Sequence, residues 1–238
     1  STQAKTLFPY TTLFRSALGA DPMRLPLKGD AADTVLSVND LDDFAKFAEA
    51  LDTAAGGQPV KRVAILGAGL IGCEFANDLL HRGIEPTVLD LADRALGRLL
   101  PLEASARLQE KLQAGGTTFR FGVGASSVDK AGNGLKLTLS DGSTMETDLV
   151  LSAIGLKPRT HLATEAGVLT GRGVMVNREL ATNVPHVYVG TGSAAVTNFY
   201  EGMRLINGSG NALANRLVGD LQADKLSGLT GNDTLDRS

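Results

Sequence analysis

The chain has 238 residues, 43% of them hydrophobic and 21% charged, an ordinary composition for one or two packed domains. Its net charge of -3 at pH 7 provides no electrostatic case for nucleic acid or an anionic membrane, and no apolar run approaches the length needed to span a bilayer. The single cysteine, Cys73, excludes a disulfide within the chain and a cysteine-rich metal site; with no secretory signal, a cytoplasmic protein is expected.

The first 16 residues fit no element. Thr6-Leu-Phe-Pro-Tyr-Thr-Thr-Leu-Phe-Arg-Ser16 has no clean period and repeats Thr-Leu-Phe at 6–8 and 12–14. It reads as a translated sequencing-adapter oligonucleotide, the alternative being an extended or disordered arm, so residues 1–16 are left out of fold reasoning. Residues 17–28 are loop-like and hold Pro22 and Pro26. Between 36 and 51, Leu41, Phe44, Phe47 and Leu51 recur at helical intervals behind Asn39-Asp40, which predicts a helix. Ala54-Ala-Gly-Gly-Gln-Pro59 reads as a linker.

The most informative stretch follows. In Arg62-Val-Ala-Ile-Leu-Gly-Ala-Gly-Leu-Ile-Gly72, a G-x-G-x-x-G (Gly67, Gly69, Gly72) lies directly behind an apolar run, and Glu74-Phe-Ala-Asn-Asp-Leu-Leu80 continues at helical spacing. Such a motif between strand and helix predicts nucleotide binding. The first glycine permits the tight turn, and the second lets backbone approach a pyrophosphate. The third lets the helix pack close, with its N-terminal N–H groups aimed at the phosphates. Ala68, Leu70 and Ile71 fill the turn between them.

After Gly83, Pro86-Thr-Val-Leu-Asp90 reads as a second buried strand, with Asp90 18 positions beyond Gly72. A carboxylate there accepts from the ribose 2′-OH of NAD and repels the 2′-phosphate of NADP, although Asp also commonly caps a turn. Arg94 argues the other way, since a nearby Arg can accommodate that phosphate. Cys73 opens the helix, where the dipole can activate a thiol, but a small buried residue packing helix on sheet is the favoured reading. His81, His161 and His186 lack metal-ligand spacing, and no nucleophile–base constellation stands out, so neither a metal site nor a catalytic side chain is expected.

Residues 103–114 predict a helix ended by Gly115-Gly116. Leu135-Lys-Leu-Thr-Leu139, Asp141-Gly142 and residues 143–146 predict a hairpin, and Asp148-Leu-Val-Leu-Ser-Ala-Ile154 a buried strand. Farther on, short strands are expected at 173–176 and 186–189 and a helix at 211–218. Gly190-Thr-Gly-Ser-Ala-Ala195 is a second glycine loop, read as a tight turn. Gly228-Leu-Thr-Gly-Asn-Asp-Thr-Leu235 is loosely similar to one unit of a calcium-binding glycine- and aspartate-rich repeat. Since several stacked copies are needed to form such a structure, residues 223–238 are expected to be a disordered tail.

With these residues in view, the chain resembles the FAD-dependent pyridine nucleotide-disulfide oxidoreductases, and among them the rubredoxin reductases. The resemblance is carried by Arg62-VAILGAGLIGCEFANDL-Leu80, Asp90-LADRALGRLLP-Leu102, Asp148-LVLSAIGLKP-Arg159 and Ala20-DPMRL-Pro26. It implies an α/β fold in which a Rossmann-like NAD-binding domain (58–157) is inserted in an incomplete FAD-binding domain, with 17–57 ending its first segment and 158–222 resuming it. It further implies NAD(H) on Gly67, Gly69, Gly72 and Asp90, Glu74 facing the nicotinamide–flavin junction or merely a helix N-terminus, and Ala153, Gly155 and Pro158 in the turn closing the domain beside the cofactor. The implied function is electron transfer from NADH through FAD to rubredoxin or a similar small carrier, a ferredoxin or nitrite reductase-type flavoprotein and a non-catalytic nucleotide-binding module being alternatives. Two departures lead us to expect a fragment: no upstream G-x-G-x-x-G for FAD, and Gly192 where the family carries Asp.

Overall fold

The structure is a computed structural model describing residues 19–53, 59–177 and 179–189, together with four short strands after residue 206. The chain divides into two units, Gly19–Pro158 and a second that includes Arg159–Ser238.

The first unit is organised by four parallel strands, β2 (Arg62–Leu66), β3 (Glu85–Asp90), β4 (Thr118–Phe121) and β8 (Leu149–Ser152), in the order β4-β3-β2-β8. Parallel strands need crossovers, which α2 (Leu70–His81) and α3 (Leu102–Ala114) supply. Both faces are covered, so β2 is buried from Val63 to Leu66 without alternation. The pleat still sorts the side chains. Val63, Ile65, Val88, Leu149 and Leu151 pack toward the helices with Phe47, Leu51, Ala76, Leu79 and Leu112. Ala64, Leu66, Leu89 and Val150 meet Val128, Leu137 and Leu139 of the antiparallel sheet β5 (Ala125–Ala131), β6 (Gly134–Leu139) and β7 (Thr144–Thr147).

Residues before the linker belong to the same unit. β1 (Ala20–Pro22) pairs antiparallel with β9 (Leu156–Pro158), and Leu36 bridges to Leu151 along the edge of β8. Helix α1 (Leu41–Asp52) starts where Asp40 caps it, accepting from the Asp43 N–H at 2.8 Å. Its predicted stripe is only half buried: Phe47 and Leu51 enter the core, whereas Leu41 is 80% exposed. Phe47 meets Phe75 of α2 edge to face, with centroids 5.3 Å apart.

The second unit departs more from expectation. A small cluster of Val168, Val174 and Val176 follows the short helix α4 (His161–Glu165). The strands expected at 173–176 and 186–189 are reduced to the isolated bridges Thr170↔Val174 and Ala181↔Tyr188. The helix expected at 211–218 is contradicted at its end, where Arg216–Val218 is strand β11. With β10 (Asn207–Ser209), β12 (Lys225–Ser227) and β13 (Thr234–Asp236), it forms a nine-residue repeat in which β10 pairs parallel with β12 and β11 with β13. What reads as one copy and a tail in the sequence is therefore a series of four strands, because shared backbone pairing between alternate copies organises what each copy cannot. Residues 1–18, most of the linker (54–58) and the loop at 190–195 lie outside the described residues.

Candidate nucleotide site

The turn between β2 and α2 is shaped by its glycines, each for a different reason. Gly67 has φ +110° and donates to the Leu89 carbonyl at 2.7 Å; a Cβ there would lie 2.6 Å from the Ala153 carbonyl oxygen. A Cβ on Gly72 would lie 1.9 Å from the Gly67 carbonyl oxygen. These two glycines are required by the fold itself. Gly69, the N-cap of α2, is exposed, and among the described residues a Cβ on it would meet no atom within 4 Å. The N–H groups of Leu70, Ile71 and Gly72 begin the helix and have no intrahelical acceptor, so Gly69 marks an open approach to a helix N-terminus, where a phosphate is favoured.

Asp90 stands beside this turn at the end of β3. One carboxylate oxygen accepts from the Ala68 N–H at 2.6 Å and the other from the Ala92 N–H at 2.7 Å. The turn-capping role thus exists, and the same group braces the glycine loop. A carboxylate has about four lone-pair sites, so two remain for ribose hydroxyls.

The loop after β3 folds back on the turn. Leu96, at φ +51°, donates its N–H to the Ala68 carbonyl at 2.8 Å, and buried Ser105 of α3 bonds the Ala95 carbonyl through its hydroxyl. Neither residue was singled out by the sequence: Leu96 lies within the 90–102 stretch that carries the resemblance, and Ser105 shows only as a small polar residue early in an amphipathic helix. Arg94 lies in this loop, with its guanidinium bonded to Asp93 at 3.1 Å and to the Gly97 carbonyl at 3.0 Å.

Cys73 is buried, with its sulfur 3.7 Å from the Ala68 carbonyl. Burial first, then the charges of Asp90 and Glu74, push its thiol up to about 11, which outweighs any activation by the helix dipole and makes it a packing residue. Glu74 is exposed on the first turn of α2. On the other side of β2, Ala153 donates to the Leu66 carbonyl at 2.7 Å and touches the turn. Gly155, at φ +109°, accepts from the Met23 N–H at 3.0 Å, and Pro158 is the register partner of Ala20. The structure therefore gathers Gly67, Ala68, Gly69, Leu70, Ile71, Gly72, Asp90 and Ala153 at the C-terminal ends of β2, β3 and β8, with Arg94 in the adjoining loop, Gly155 in the β8–β9 connection and Pro158 at the end of β9.

A cleft of about 320 Å³ lies at the opposite, N-terminal end of β2, lined by Lys61, Arg62, Glu146 and Asp148 among others. Its polar groups serve the fold. Burial opposes charge on Asp148, but the N–H groups of Lys61 and Arg62 and the Arg62 guanidinium outweigh it and hold the carboxyl below its usual range.

With this geometry established, the similarities to known proteins fall into place. The sequence profile described as pyridine nucleotide-disulphide oxidoreductase matches residues 14–209. The chain is 45% identical over 186 residues to the rubredoxin-NAD(+) reductase of Acinetobacter baylyi, covering 77% of this chain and 46% of that protein. It is 40% identical over 182 residues to the nitric oxide reductase FlRd-NAD(+) reductase of Aeromonas hydrophila, covering 76% and 45%. A crystal structure of the ferredoxin reductase for the CYP199A2 system of Rhodopseudomonas palustris superposes with a TM-score of 0.64 at 30% identity, covering 72% of this chain and 41% of that one. The chain thus spans less than half the length of these relatives. Its parallel sheet, its glycine turn and a match covering most of its length together place this chain in the pyridine nucleotide-disulphide oxidoreductase family.

Proposed function

We propose that the strand-end site formed by Gly67–Gly72, Asp90 and Ala153 holds NAD(H), and that the whole protein passes electrons from NADH through FAD to rubredoxin or a similar small electron carrier in the cytoplasm. The observation that supports this most directly is Gly69: it is exposed at the start of α2, with nothing among the described residues within 4 Å of the place a side chain would occupy. The pyrophosphate would lie against this glycine and the N–H groups of residues 70–72, and the adenosine ribose would bond the free lone pairs of Asp90. Ala153 and Gly155 would border the nicotinamide half. A bound flavin would supply the conversion of a hydride into single electrons. The residues of this chain bind and orient the donor, and none is assigned a proton-transfer role.

Titration of the full chain with NADH, followed by calorimetry, tests the site. Saturable binding that is lost in G69A supports it, and absence of binding by the folded wild type refutes it. The relatives named for rubredoxin and for flavorubredoxin (FlRd) support a rubredoxin-type carrier. A nitrite reductase-type role is the second reading, supported by 34% identity over 190 residues to the nitrite reductase [NAD(P)H] of Bacillus subtilis. Relative rates of carrier reduction by the complete protein separate the two. Among the described residues, no helix is long and apolar enough to cross a membrane.

A further inference from the structure

The loop between β3 and α3 carries two basic residues, Arg94 and Arg98, and one acid, Asp93. A nucleotide whose ribose reached Asp90 would bring its 2′ position to this loop, where a 2′-phosphate would need a free guanidinium. Arg94 is not free. Its Nη1 pairs with the two carboxylate oxygens of Asp93 at 3.1 and 3.4 Å, and its Nη2 donates to the Gly97 carbonyl at 3.0 Å. The side chain lies back over Gly97, where a Cβ would come 3.2 Å from Arg94 Cγ. Among the described residues the buried Nε–H has no acceptor, so the folded-back position leaves one donor of the guanidinium unsatisfied and is held by the remaining contacts. Asp93 is 79% exposed on its side chain.

We propose that Asp93 is a second nucleotide-specificity determinant: by pairing with Arg94 against Gly97, it withholds the loop's guanidinium from a 2′-phosphate and so reinforces selection of NADH over NADPH. This inference rests on the nucleotide site proposed above. Asp90 repels a 2′-phosphate where the ribose binds, and Asp93 neutralises the cation that would otherwise attract it. Removing Asp93 both frees Arg94 and removes a negative charge from the loop.

The test measures dissociation constants of the full chain for NADH and NADPH by calorimetry at low salt. In D93N, NADPH binding is expected to tighten about 3- to 10-fold, with NADH changed less than about twofold, as befits an exposed ion pair near a polyanion. The gain should shrink at high ionic strength, vanish in D93N/R94A and persist in D93N/R98A. G97A, which crowds Arg94 out of its folded-back position, should move the preference in the same direction. The melting temperature of D93N should match the wild type, separating specificity from stability. An unchanged NADPH/NADH ratio in D93N, or a gain that survives removal of Arg94, overturns the proposal while NADH binding and its loss in G69A leave the site intact. A folded wild type that binds neither nucleotide overturns both.

Discussion

Gly69 and Gly72 lie three residues apart in the same turn, yet the structure makes their replacement by alanine opposite experiments. At Gly72 a Cβ would lie 1.9 Å from the Gly67 carbonyl oxygen, so turn and helix must separate by more than 1 Å at a point clamped by the Gly67–Leu89 and Cys73–Gly69 backbone bonds. Overpacking of that kind costs about 1–3 kcal/mol, and at roughly 2–4 °C per kcal/mol for a protein of this size the melting temperature should fall by several degrees. At Gly69 the backbone has φ -77° and ψ -172°, which any residue adopts, and the added methyl meets nothing. Alanine is a poorer N-cap than glycine, but it also restricts the unfolded chain by about 0.4–1 kcal/mol; the two effects oppose each other, so stability should hold within about 1 kcal/mol. The methyl would instead project where a pyrophosphate approaches. Losing one charge-assisted backbone hydrogen bond is worth about 1.5–3 kcal/mol, or about 10- to 150-fold in affinity for NADH. Differential scanning fluorimetry and calorimetry on the two variants give the comparison. G69A destabilised as much as G72A, or G69A binding NADH as the wild type does, would refute the assignment of the open face to the nucleotide.

Other expectations follow from single groups. With its thiol held at about 11, Cys73 should have on the order of 200-fold less thiolate at pH 8 than a free cysteine; a thiol reagent should label it only after unfolding, and rapid labelling of the native chain would contradict its packing role. Asp148 has its folded pKa lowered, so the stability it contributes is present above the ordinary aspartate range and lost as pH falls through its folded value. Wild type should therefore lose stability in acid below about pH 4 more steeply than D148N, which is less stable at neutral pH, as denaturant midpoints across that window will register. F47A should cost about 3–5 kcal/mol, since Phe47 is buried against Phe75; a loss below 1 kcal/mol by denaturant titration would mean that α1 does not share the core of β2 and α2.

What could be read from the sequence and what could not divides along a physical line. The glycine turn was legible because its steric demands admit one residue type, and β2, β3 and β8 because burial on both faces requires continuous apolar runs such as residues 63–66. β5 was not legible. Ala125-Ser-Ser-Val-Asp-Lys-Ala131 carries almost no strand propensity and buries one large side chain, Val128; it exists because β6 offers it a partner, information held elsewhere in the chain. α1 was legible in extent but only half in face, since Leu41 and Phe44 continue the stripe of Phe47 and Leu51 yet remain exposed. The nine-residue repeat escaped for the same reason as β5, because its strands pair with segments 18 residues away rather than with their neighbours.

The site follows the same line, and Asp90 is where the two kinds of information meet. Spacing identified it as an acid at the end of the second strand, which permits two readings, ribose acceptor and turn cap, that sequence treats as rivals. The structure makes them compatible, because a carboxylate can serve the Ala68 and Ala92 N–H groups and still accept from a sugar. The bond to Ala68 has a further consequence. Ala68 separates the first two glycines, and its carbonyl receives the Leu96 N–H from the loop that carries Arg94. The glycine turn and the loop after β3 are therefore joined through one residue, so a charge change at Asp90 should alter loop position as well as the local charge. Redirecting this site toward NADP by changing Asp90 alone should for that reason weaken both nucleotides, whereas Asp93, whose exposed carboxylate pairs with Arg94, can shift the preference without loosening the turn.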